Sequence, residues 1–228
     1  MSGIIGSRFN NRGSGLVGSL GTDGQIFTSS GAGVGAVYED AAGGGGAWTT
    51  IKVLTASSSS TLEFVNGASD VVLDATYDVY MFQWTGIHPQ TNATDFTVNF
   101  TEDGTNWNKQ KCCVHWRVYA SEANSQNIGG GTQTVGTGEF QLTDSQGSDG
   151  DHACAGHMFL YDPSDTTLNQ HFSFTCESSA SNTHLHSAYG GGNMGHGGNA
   201  GAITGVRFTQ SSGYIDEGRI GLYGLAKS

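Results

Sequence analysis

The stretch Asp95-Phe96-Thr97-Val98-Asn99-Phe100-Thr101 carries an apolar residue at every even position and a polar one at every odd position. A helix would scatter such residues around its circumference. An extended strand sends successive side chains to opposite faces, so that one face meets a core and the other meets water. His171-Phe172-Ser173-Phe174-Thr175-Cys176-Glu177 repeats the pattern. Segments 48–55, 61–65, 77–86, 112–120, 138–142, 153–161, 202–209 and 214–223 also read as strands, giving about ten short strands separated by polar, Gly-rich turns. No gap between them holds a convincing crossover helix, which removes parallel α/β architectures. The expected fold is all-β, an antiparallel β-sandwich or jelly roll of about 8–10 strands.

Composition agrees with this. Glycine supplies 37 residues, proline 2, and only 13% of the chain is charged, so the chemistry of turns is abundant and that of long helices scarce. The long gaps, Ser121 to Gly138, Thr143 to Asp151 and Ser178 to Gly201, read as loops, the usual carriers of binding function on a rigid sandwich.

Residues 1 to about 46 follow a different rule. Glycine recurs every few positions between isolated apolar residues, among them Phe9, Leu16, Val17, Leu20, Ile26 and Phe27. A chain so rich in glycine is costly to order alone, and a pure linker would lack the spaced apolar plugs. An extended anchoring arm over 1–46, docking through those six residues and hinged at Gly43 to Gly46, therefore precedes a β-sandwich domain over 47–228.

A formal net charge of −11, with nine Lys and Arg in all, argues against nucleic acid and anionic membranes as ligands. No apolar run approaches the ~18 residues of a membrane span, and the start lacks a charged region followed by an apolar core, so no export signal is expected. Cys112, Cys113, Cys154 and Cys176 form no CxxC pair and read as buried free thiols.

The opening GSGLVGSLGTDGQIFTSSGAGVGAVYE and the closing ITGVRFTQSSGYIDEGRIGLYGLAKS resemble virion structural proteins of tailed phages, particularly those of marine and other environmental bacteria. Between them, YDVYMFQWTGIHPQTNATDFTVNFTEDG looks like that family's first core hairpin, with GVRF and GRIGLYGL as its last strands. The resemblance covers about a third of the chain. It implies a jelly-roll-like module displayed on the particle as a fibre, tail component or capsid decoration, assembled in the host cytoplasm. Its implied partners are other virion proteins, further copies of itself, with a trimer favoured, and a host-surface glycan.

The search for chemistry finds little. His184 and His186 would share one side of a strand and with His196 could hold zinc or nickel, but histidines in a Gly-rich loop read first as solvated polar groups. Asp144, Asp149 and Asp151 crowd one loop without the closing Glu of a calcium loop. Glu63, Asp70, Asp78, Glu102 and Asp103 show no spacing that selects a catalytic pair, and a nucleophile elbow is missing. The chain is therefore expected to be no enzyme and to need no cofactor or metal. Trp84 and Trp116 read as core, whereas Trp107, after a turn, and Tyr189 read as surface contacts.

Overall fold

The computed structural model describes residues 25–28, 37–40, 47–121, 126–129, 133–181, 184–195 and 200–226. The chain divides into two units, Met1–Gly46 and Ala47–Ser228. In the first, β1 (Gln25–Thr28) pairs antiparallel with β2 (Val37–Asp40).

Among the described residues the second unit is an antiparallel sandwich of thirteen strands. They are β3 (Trp48–Thr55), β4 (Thr61–Val65), β5 (Val79–Pro89), β6 (Phe96–Thr101), β7 (Lys111–Ser121), β8 (Gln126–Gly129), β9 (Gln133–Gly136), β10 (Phe140–Gln141), β11 (Cys154–Tyr161), β12 (His171–Ser179), β13 (His184–Met194), β14 (Gly205–Gln210) and β15 (Ile215–Leu225). One sheet runs β10-β6-β14-β4; the other runs β3-β15-β5-β11-β12-β13-β7-β8, with β9 also on β7.

All ten strands expected from the alternation are present. The other three correct the loop assignments, because β8 and β9 lie in the 121–138 gap and β13 fills much of 178–201. A second correction concerns the expected first core hairpin. Strands β5 and β6 belong to opposite sheets, so the chain crosses the sandwich between them and they form no hairpin.

The alternation explains the core. Tyr80, Phe82 and Trp84 of β5 point inward and are buried, as are Phe96, Val98 and Phe100 of β6. Phe208 of β14 packs against Phe82 at 5.7 Å and Trp84 at 6.0 Å across the sheets, and stacks beside Phe96 at 5.6 Å. Phe100 and Phe140 meet Phe172 at 5.2 and 5.4 Å further along. Each such ring contributes about 1.5–3 kcal/mol by leaving water, which makes this aromatic seam the main cohesive element. Where β5 and β15 slip register, Gly86 and Gly218 adopt φ of 65° and 113°. A Cβ on Gly218 would also meet the Gly86 carbonyl at 2.5 Å, so glycine is required there.

Candidate functional site: an apolar sheet face

Strands β7 and β13 pair without a break from His184↔Ser121 to Met194↔Lys111. The pleat turns Val114, Trp116 and Val118 of β7 to the same outer face as Leu185 and Tyr189 of β13. Trp116 and Tyr189 are direct cross-strand partners, each 48% exposed. Ile128 of β8 lies opposite Val118, and Val135 of β9 lies opposite Cys112, which continues the apolar surface to the sheet edge. Of the eleven exposed large apolar side chains among the described residues, these seven share one end of one face. Beside them, Gly190, Gly191 and Gly192 leave a groove of about 600 Å³ lined also by Trp116, His171 and Asn193.

The opposite side of the same strands sets polar groups beside the core residues Cys113, Ala188 and Met194. Lys111, fully buried, donates from Nζ to Asn99 Oδ1 at 2.6 Å, and burial pulls its pKa down to about 8. His115 sits edge-on to Phe140 and Phe174, and burial lowers its pKa. Arg117 pairs with Asp144, and His186 Nδ1 donates to the Asp144 carbonyl at 3.0 Å. Burial, with the Arg117 charge and His184 adding to it, takes the His186 pKa down to about 4.

Trp116 was expected in the core and is exposed. Alternation in β7 reports two faces without saying which is inner, and here the inner face is the polar one. Trp84 is buried as expected. Tyr189 falls on the outer face, whereas Trp107 is half-buried with the Arg207 guanidinium 4.9 Å from its ring centre. Arg207 also bonds Glu139 at 2.6 Å.

His184 and His186 do share a side, with ring centres 6.2 Å apart. His196 lies outside the described residues, among which no three His, Cys, Asp or Glu gather as metal ligands. Asp144 is occupied by Arg117, and Asp151 lies 3.9 Å from His152 at the rim of a separate polar hollow that includes His184. Among the other carboxylates, Glu102 pairs with Lys109, and Asp103 caps its own turn through the Thr105 and Asn106 amides. Those bonds hold Asp103 well below the usual carboxylate range. Cys113, Cys154 and Cys176 are buried and Cys112 half-buried, all as free thiols. Burial pushes Cys113 up to about 12, which makes it a poor nucleophile. Of the expected docking residues, Phe9, Leu16, Val17 and Leu20 lie outside the described residues; Ile26 and Phe27 fall in β1, opposite Glu39 and Tyr38.

Comparison with protein-family models, curated proteins and solved structures finds no match to this chain.

Proposed function

We propose that this chain is a structural protein of a tailed-phage particle. Residues 1–46 dock it on other virion proteins, and the sandwich is displayed outward as a fibre- or tail-associated module for host attachment. The observation that carries this reading is the uncharged apolar face over β7 and β13. Such a surface suits standing contact with protein in an assembly of many copies. The Gly-rich first unit supports it too, because contact with several neighbours at once offsets the ordering cost of an arm.

Deleting residues 1–46 is the test. The remaining sandwich should keep a strand-dominated circular-dichroism spectrum yet be missing from purified particles. Normal incorporation of the truncated protein would remove the docking role.

The same face favours a second reading, a capsid decoration protein that binds only other virion proteins. Its aliphatic side chains Val114, Val118, Ile128, Val135 and Leu185 outnumber the aromatic pair, whereas sugar sites lean on aromatic plates with polar neighbours. Loss of capsid stability on removing the protein, with no binding to host cells or glycans, would select it.

A further inference from the structure

We infer that the β7–β13 face is covered by a second copy of this chain, packed face to face across a two-fold axis. The inference rests on the reading above in that it names the partner of the same surface, but self-association needs no particle to be measured.

Sidedness comes first. Strand β7 turns Lys111, Cys113 and His115 inward and Val114, Trp116 and Val118 outward, the reverse of the ordinary hydrophobic order. A one-residue slip would exchange the faces. Such a slip would break the bond from Lys111 to Asn99, so the exposed apolar row belongs to the fold as it stands.

Charge narrows the partner. The chain has 20 Asp and Glu against 9 Lys and Arg, yet no residue that the register places on the outer side of β7, β8, β9 or β13 belongs to any of these four types. Glu177 of β12, opposite Ser187 in register, is a carboxylate on that face beside the patch, and it accepts from Ser187 at 2.7 Å. Two strongly acidic copies repel least where carboxylates are fewest, and β7, β8, β9 and β13 place none on this face, Glu177 of the neighbouring β12 lying at its rim. A partner recognised by charge would find only Glu177, at the rim, to pair with.

Extent fits as well. Eight residue steps by three strand spacings cover about 27 by 14 Å, roughly 400 Å² of sheet. That is an apolar centre of the size expected within an interface of about 800 Å² per partner, with residues such as Thr175, Ser187 and Asn193 as the polar rim.

The two-fold follows from what else is exposed. Val53, Leu168 and Tyr214 come from three separate places, β3, the β11–β12 connection and the approach to β15, and Tyr161 packs beside Phe159 with its hydroxyl on Ser173. At the other end of the sheet Trp48, Phe159 and Tyr161 pack ring on ring and of these only Tyr161 is exposed, so among the described residues no second cluster of strongly exposed apolar side chains offers itself to a head-to-tail contact. The face therefore meets itself, which gives a dimer and not the trimer expected from sequence.

Sedimentation velocity of the 228-residue chain from about 1 to 100 µM decides the matter. The wild type should sediment as a dimer. Trp116→Glu and Tyr189→Glu, each at an exposed position and checked for an unchanged circular-dichroism spectrum, should weaken association about a hundredfold or more, since each places two carboxylates in the interface. A wild type that stays monomeric or forms trimers would overturn the inference, as would folded variants that remain dimeric. A monomer whose face variants lose binding to another virion protein or to host cells would also overturn it while leaving the virion reading in place. A dimer that never enters particles would remove the virion reading alone.

Discussion

Lys111 brings an ammonium group into a sandwich whose centre is aromatic. Its Nζ reaches Asn99 Oδ1 at 2.6 Å and lies 3.4 Å from the Lys109 and Thr137 carbonyls, yet burial still lowers the pKa from an ordinary 10.5 to about 8. Between those two values the unfolded chain binds more protons than the folded one, so this group makes stability rise with pH across that window. Below about pH 8 the full cost applies, on the order of 3 kcal/mol. Lys111→Met keeps the stem and removes the charge. Thermal melts of both proteins from pH 7 to 10 should show the wild type gaining on the variant above pH 8; a constant difference would contradict the cost assigned to burial. His186 works at the acid end. Its folded pKa of about 4 lies below the ordinary 6.5, so its contribution is complete above pH 6.5 and is lost as pH falls toward 4. Urea midpoints of His186→Gln should fall less steeply between pH 7 and 4.5 than those of the wild type.

At the scale of the strand, Gly190 to Gly192 decide how closely β12, β13 and β7 pack. A Cβ on Gly191 would collide with the Phe172 carbonyl, and one on Gly190 with the Val114 carbonyl, backbone groups with no room to yield. Gly191→Ala should therefore cost about 2 kcal/mol or more in urea unfolding, while Gly138→Ala, with nothing within 4 Å, should be close to neutral. The same glycines show where sequence reading stops. Period-two alternation was legible wherever one face is apolar and the other polar, as in β6 and β12, and there the strand positions follow directly. In β13 the run Gly190-Gly191-Gly192 and the flanking histidines have the composition of a loop, and only pairing on both sides makes them a strand. Alternation also names faces and not partners, so it did not test the hairpin of β5 and β6 that the family resemblance implied, and the two strands lie in opposite sheets. Trp116 was misplaced for a related reason. What turns the polar side of β7 inward is Asn99, twelve residues away in sequence and on the other sheet, which no local pattern reveals.

For the whole molecule the opposing quantities are a net charge of −11 and one uncharged apolar face. Repulsion between two such chains acts over a Debye length, about 30 Å at 0.01 M salt and about 10 Å at 0.1 M, whereas burial of the Trp116 and Tyr189 surface depends on water far more than on ions. Salt should therefore strengthen the dimer, the reverse of an interface held by ion pairs. Raising sodium chloride from 20 to 300 mM should lower the dimer dissociation constant several-fold in sedimentation equilibrium, with the Trp116→Glu variant monomeric throughout. Weakening by salt would mean that charged groups hold the copies together, and the β7–β13 face, which the register leaves without Lys, Arg, Asp or Glu, would then not be the contact.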